Sequence, residues 1–440
     1  LSVERPDAAE LRRDILALCR QYFEATGSLP PFSPGESPIP VTQKVLDADD
    51  LASVVDAALD LWFTAGRFTH AFEAALAREV GVRYALFVNS GSSANLLAMS
   101  TLTSPQLDNR QMHTGDEVIT TAVGFPTTVN AILQTGGVPV FIDVNLGTYN
   151  ATPDRVERAI GPKTRAIFLA HTLGNPFDAE AVRRIADRYG LWFIEDSCDA
   201  LGSETSGRKA GSFGQLATLS FYPAHHITTG EGGALLVDDP RLKKIAESFR
   251  DWGRDCWCDT GKDNTCGKRF DWQLGELPYG YDHKYVYSHI GYNLKATDLQ
   301  AALGVTQLAK LGAFRDRRRR NFQRLYDTLA AAALDVILPH AEAGAEPNWF
   351  GFPITLARGI DRHSVVRELE RRRVVTRLMF AGNILRQPAY AGVAHRVSGS
   401  LENSDRVLES TFWVGVHPGL DDERIDYLAR TLIDVIHGVR

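Results

Sequence analysis

Tyr84-Ala-Leu-Phe-Val-Asn-Ser-Gly-Ser-Ser-Ala-Asn95 opens on an apolar run, turns through small residues, and continues into Ala94–Leu102, where the apolar positions recur at helical spacing. Strand, turn and helix in that order put a helix N-terminus at the carboxyl end of a strand. The same succession recurs along the chain. Apolar runs stand at Glu117–Thr120, Val138–Ile142, Ala166–Leu169 and Trp192–Ile194, and helical periods at Pro153–Ala159, Ala179–Tyr189 and Asp239–Phe249. This alternation predicts an α/β fold, with a large, mostly parallel sheet covered by helices on both faces.

Outward from this core the chain divides into three parts. Residues 1–50 form an N-terminal arm whose stretch Leu29–Pro38 is proline-rich and should run extended over the body. Residues 51–310 form the large domain. Within it, residues 251–288 are rich in Trp, Asp, Gly, Cys and Tyr without a period, which predicts a long ordered loop. Helices resume at Ala296–Leu311 and Arg315–Ala333, and residues 311–440 are expected to form a smaller C-terminal αβ domain. The run Arg317–Arg320 reads as the solvated face of its helix.

The chain has 440 residues with 48 Lys and Arg against 54 Asp and Glu, a net charge of −6 that argues against a general nucleic-acid binder. No apolar run approaches the length of a membrane span. The opening LSVERPDAAELRRDI is charged and lacks the apolar core of a secretory signal, and because the chain begins at Leu1, an earlier start is expected. Five cysteines are an odd count without a secretory signal, which points to a reducing compartment, the cytoplasm.

Four motifs could carry chemistry. Asn89–Asn95 offers backbone N–H groups at a helix N-terminus, suited to a phosphate, or it is a tight turn capped by serine. Trp192-Phe-Ile-Glu-Asp196 ends an apolar strand in acids. Asp196 is therefore placed to meet a ligand, where its carboxylate could hold a protonated ring nitrogen; a helix cap or surface acid is the alternative. Thr218–Gly233 runs from strand through a polar turn to strand and contains His225-His226, suited to acid–base work. A metal site lacks the usual histidine spacing, and one packed and one surface histidine would explain the pair equally well. Finally, Cys198, Cys256, Cys258 and Cys266 follow C-x57-C-x-C-x7-C. The spacing leaves zinc, an iron–sulfur cluster and unligated thiols open. If Cys198 is a ligand, the metal centre sits beside whatever Asp196 holds, as electron transfer would require.

Together these stretches resemble the pyridoxal-phosphate (PLP) sugar aminotransferases of the aspartate-aminotransferase fold, PLP fold type I. The resemblance runs from about Pro40 to the C-terminus. It rests on Ser90-Gly-Ser-Ser-Ala-Asn95, Gly124-Phe-Pro-Thr-Thr-Val-Asn130, Ile194-Glu-Asp196, Ser220–Gly233 and Gly291-Tyr-Asn-Leu-Lys-Ala-Thr-Asp-Leu-Gln-Ala-Ala302. One departure stands out. The aminotransferases carry a cofactor-anchoring lysine where this chain has His225. Loss of that lysine together with the cysteine pattern is similar to one branch: the iron–sulfur, pyridoxamine-phosphate (PMP) dependent 3-dehydrases of nucleotide-linked 4-keto-6-deoxyhexoses.

That resemblance implies roles, residue by residue. His225 would be the base acting on the cofactor's aminomethyl carbon. Asp196 would keep the pyridine nitrogen protonated and Phe125 would stack on the ring. Gly91, Ser92 and Ser220 would bind the phosphate, with Asn293 reaching over from a second subunit of a homodimer. The four cysteines would hold a 2Fe–2S cluster fed by a separate flavin or iron–sulfur reductase. Asp199 and Tyr222 replace residues usual in transaminating relatives and would tune the site towards elimination. The implied reaction is loss of the C3 hydroxyl from a CDP- or TDP-linked sugar, with or without its C2 hydroxyl, followed by reduction. The rival readings are an ordinary sugar aminotransferase, a cluster-free dehydrase, and a non-enzymatic zinc-binding protein.

Overall fold

The apolar runs pair into one eight-stranded sheet. Its order is Tyr84–Val88, Gly233–Val237, Leu216–Ser220, Trp192–Asp196, Thr164–Ala170, Glu117–Thr121, Val138–Ile142 and Arg396–Val397. Gly233–Val237 is antiparallel to both neighbours, and every other adjacent pair is parallel. The molecule is known here from a computed structural model that describes residues 7–26 and 31–439. The start of the chain at Leu1, and Leu29 and Pro30 of the proline-rich stretch, lie outside the described residues.

The strands read as continuous apolar runs because helices cover both faces. Val118, Ile119, Ile167 and Phe168 are fully buried. Helix starts follow local capping chemistry. Ser90 accepts the N–H of Ser93 at the head of Gly91–Leu102, and Asp178 does the same for Ala181 at the head of Ala179–Tyr189. Pro153 and Pro240 occupy first turns behind the caps Thr152 and Asp239, where a missing N–H costs nothing.

A second, antiparallel sheet of four strands runs Val336–Ile337, Gly351–Leu356, Thr411–Gly415, Arg377–Leu378. The helices Leu311–Ala331, Arg362–Arg371 and Asp422–Gly438 contribute Phe322, Leu325, Val365, Leu369, Ile425 and Leu428 to its core. The chain then sends Arg396–Val397 back to the edge of the large sheet, beside Val138–Ile142. Residues 251–288 form an irregular loop whose only regular turn, among the described residues, is the 3-10 turn His283–Tyr285. No helix among the described residues is long and apolar enough to cross a membrane.

Two expectations need correction. The N-terminal arm contains a helix, Ala8–Thr26, which lies on the helix Ala48–Ala58 through Arg12, paired with Asp56 at 2.6 Å and Asp60 at 2.8 Å. The proline-rich stretch, expected to be extended, comes after this helix, and its described part turns where the Ser33 carbonyl accepts the N–H groups of Glu36 and Ser37. The run Arg317–Arg320 is not uniformly solvated, because Arg318 is 1% exposed. Arg318 turns inward to the carbonyls of Trp349, Phe350 and His225.

Asp298 ties the helices around the large sheet together. It is buried, and it accepts the N–H groups of Gly66, Phe68 and Thr69 and the hydroxyl of Thr69, at 2.7–3.2 Å. These donors form the first turn of Arg67–Val80, a helix end that favours negative charge. Asp298→Ala leaves them buried without an acceptor, and a loss of about 2–4 kcal/mol is expected in urea denaturation. An unchanged midpoint would remove the anchoring role.

Candidate active site

Four strand ends meet at one cavity of about 570 Å³. Val88 leads into Ser90–Ser92, Thr121 into Phe125, Trp192–Asp196 ends on Asp196, and Leu216–Ser220 ends on Ser220; these residues line the cavity with His225. It lies beyond the carboxyl ends of the parallel strands, where open α/β sheets bind ligands.

Gly91 and Ser220 form its floor on one side. A Cβ on Gly91 would stand 2.5 Å from the Ser220 Cβ and 2.9 Å from its Oγ. Only glycine lets the head of Gly91–Leu102 come this close to the strand end. The result is a cup of helix N–H groups and the hydroxyls of Ser92 and Ser220, suited to a dianionic phosphate.

Adjacent acids of the central strand part company because successive side chains point to opposite faces. Glu195 is fully buried away from the ligand. It bonds His171 Nε2 at 2.9 Å and accepts the N–H groups of Gly211, Phe213 and Gly214. Burial works to raise its carboxyl, but His171 and these backbone donors outweigh it and hold Glu195 below the usual carboxylate value. Asp196 lines the cavity. Its Oδ2 accepts Asn95 Nδ2 at 3.0 Å and Thr128 Oγ1 at 2.6 Å, and its Oδ1 accepts only the N–H of Cys198 at 3.2 Å. An acceptor site therefore remains on Oδ1.

The two histidines divide in the same way. His226 is buried and bonds the carbonyl of Asn348 at 2.7 Å; burial, with the nearby charge of Arg318, pushes it well below the usual histidine value. It is the packed member of the pair. His225 lines the cavity and rests 5.2 Å from the Phe350 ring. Its Nδ1 stands 3.4 Å from Asp199 Oδ1, a charge contact without hydrogen-bond geometry. Burial pushes Asp199 above the usual carboxylate value; His225 draws it back, Asp196 adds to the rise, and Arg318 opposes it. Tyr222 and Phe125, both about half exposed, flank the opening.

The cysteines do not come together. Cys198 lines the cavity beside Asp196, and burial and the charge of Asp196 push its thiol well above the usual value. Cys256, Cys258 and Cys266 line a separate small cavity in the loop, where the Thr265 hydroxyl donates to Cys258 Sγ at 3.0 Å. Among the described residues no group of His, Cys, Asp and Glu side chains is arranged to hold a metal ion. Asn293 does not line the cavity either; its backbone bridges to Asp251.

The sequence pattern of the DegT/DnrJ/EryC1/StrS aminotransferase family matches residues 44–433. The chain belongs to that family. It is 53% identical to the dTDP-4-dehydro-2,6-dideoxy-D-glucose 3-dehydratase of Saccharopolyspora spinosa, over 98% of this chain and 93% of the relative. It is 52% identical to the lipopolysaccharide biosynthesis protein RfbH of Salmonella typhimurium, over 96% and 97%. Among solved structures it resembles the E. coli GDP-4-keto-6-deoxy-D-mannose-3-dehydratase with bound hydrated PLP, with a TM-score of 0.80 and 25% identity over 90% of this chain and all of that one. The architecture is the PLP-dependent aminotransferase fold.

The cavity of this family member fits such a cofactor. The Gly91–Ser220 cup suits its phosphate, the open side of Asp196 suits its ring nitrogen, and Phe125 lines the same cavity. The four cysteines do not fit one cluster as they stand, since Cys198 and the loop thiols occupy different cavities.

Several site residues escaped the sequence reading. Asn95 and Thr128 lie inside motifs that had been singled out, yet only the fold aims them at Asp196. Arg318 was concealed in a basic run. Its guanidinium reaches the carbonyls of Trp349, Phe350 and His225 at 3.3–3.4 Å, and burial lowers its pKa to about 10 against the opposing charge of Asp199. It thus holds both the turn carrying His225 and the segment carrying Phe350. Arg318→Met leaves three carbonyls without their donors, and a destabilisation of about 2–4 kcal/mol in urea is expected. A variant as stable as the parent would show these contacts to be idle.

Proposed function

We propose that this enzyme removes the C3 hydroxyl of a nucleotide-linked 4-keto-6-deoxyhexose, with PMP as cofactor, in deoxysugar biosynthesis. The observation that carries this reading is His225, set against Asp199 in the cavity wall where a transaminating relative needs its lysine. No lysine lines the cavity among the described residues, which disfavours the aminotransferase alternative. The activity named for the Saccharopolyspora spinosa relative supports a dTDP-linked sugar, and a CDP-linked sugar is the second candidate.

Bound PMP supplies an amine that condenses with the C4 ketone and a ring that accepts electrons as the C3 hydroxyl leaves. The chain's residues do the rest. Asp196 keeps the ring nitrogen protonated, braced by Asn95 and Thr128. His225 takes a proton from the cofactor's aminomethyl carbon, a task for which imidazole is suited near neutral pH. Asp199, 3.4 Å from Nδ1, positions the His225 imidazole. Tyr222 at the opening faces the sugar. Asn293, exposed and outside the lining of its own cavity, serves the cofactor phosphate of a second copy in a homodimer.

Reductive completion needs two electrons, and a separate flavin or iron–sulfur reductase is the proposed donor. Cys198, Cys256, Cys258 and Cys266 are the proposed ligands of a 2Fe–2S cluster. Support for it lies in the resemblance to the iron–sulfur 3-dehydrases and in the loop thiols sharing one cavity. The cluster would require Cys198 and the loop to be drawn together.

Two measurements test this reading. His225→Lys should lose dehydration of the dTDP- or CDP-linked 4-keto sugar and bind PLP covalently, read as added mass after borohydride reduction. Full dehydration with PMP in that variant would mean that the base is another group. Anaerobically purified protein should contain iron and acid-labile sulfide at about two each per chain. Zinc in their place, or no metal after reconstitution, removes the cluster and the reductase.

A further inference from the structure

The cavity has to accept two anions, the phosphate of the cofactor and the diphosphate of a nucleotide sugar, yet its charged lining is mostly acidic. Asp196, Asp199 and Glu231 face Arg377, the only lysine or arginine lining it among the described residues. The cofactor's phosphate has its own receptacle in the Gly91–Ser220 cup, built on the large sheet. Arg377 belongs to the other wall. It sits on the edge strand Arg377–Leu378 of the small sheet, opposite Trp413 of the neighbouring strand.

The guanidinium is held without being neutralised. Thr376, just before it, is tied to Glu370 through its N–H at 2.8 Å and its hydroxyl at 3.1 Å. Arg377 Nη1 donates to the Thr376 carbonyl at 2.8 Å. No carboxylate lies within ion-pair distance of Arg377 among the described residues, and the side chain is exposed on the cavity rim. A rigid fork of N–H donors with an uncompensated charge suits the paired oxygens of a phosphate.

We propose that Arg377 binds the diphosphate of the nucleotide sugar at the rim of the cavity, with the sugar directed inward towards His225. This assignment rests on the nucleotide-sugar reading above. It gives the two anions separate seats, one on each sheet.

The test is calorimetric titration of PMP-loaded protein with dTDP and with CDP, for the parent, Arg377→Gln and Arg377→Lys. Because Arg377 is exposed, both variants should fold, which urea midpoints check. Arg377→Gln should weaken nucleoside diphosphate binding about 10- to 100-fold, the range of a charged hydrogen bond. Arg377→Lys should recover part of it, and PMP retention after dialysis should not change. Equal affinity in the parent and Arg377→Gln overturns the assignment while leaving the reaction intact. Loss of PMP from Arg377→Gln overturns it in favour of the cofactor's phosphate. If the parent binds neither dTDP nor CDP, the nucleotide-sugar reading falls and this proposal falls with it.

Discussion

A carboxylate held beneath a binding cavity by neutral donors is the constraint around which the site is organised. Thr218 donates to Asn95 at 2.6 Å, Asn95 donates to Asp196, and Thr128 donates to the same oxygen. Four segments around the large sheet meet in this chain of bonds: two strands and two helices. Because the donors are amide and hydroxyl groups, Asp196 is oriented without being paired to a fixed cation. Its charge stays available for a ligand, where a lysine or arginine in the same place would already have satisfied it.

Neighbouring residues of like chemistry are given opposite duties by geometry. Glu195 and Asp196 point to opposite faces of one strand, the first spent on backbone donors and His171, the second open to the cavity. His225 and His226 divide likewise between the cavity wall and the packed interior. The structural members of these pairs hold the frame, Glu195 through bonds to both its oxygens and His226 through Nε2 to the Asn348 carbonyl. The functional members keep an unused bond.

Much of this was legible beforehand, for identifiable reasons. The strands buried on both faces leave long apolar runs, and the caps Ser90, Asp178 and Asp239 punctuate the helices, so the α/β order could be read directly. Gly91, Ser92, Phe125, Asp196, Ser220 and His225, which line the cavity, lie in short motifs beside those strands, whereas Ala170, His171 and Leu173 of its lining lie in none. What stayed hidden depends on contacts distant in sequence. Nothing local distinguishes Arg318 from Arg317 and Arg319, which find partners at Leu420 and Glu346 while Arg318 turns inward. The family resemblance implied one ligand set for the four cysteines, yet Cys198 lines one cavity while the loop gathers the other three in another. A helix in the N-terminal arm was masked by the prolines that follow it.

The short strand Arg396–Val397 makes the order of synthesis matter. It covers the flank of Val138–Ile142, with Arg396 opposite Val140, and Arg396 also grips Glu117 and the Ala159 carbonyl. While the chain emerges from the ribosome, the large sheet can form all of its strands but this one, and Val138–Ile142 then stands as an open edge of the kind that recruits foreign strands. The last part of the chain closes that edge. Solubility of the nascent enzyme thus depends on a segment that contributes nothing to the phosphate cup or to Asp196.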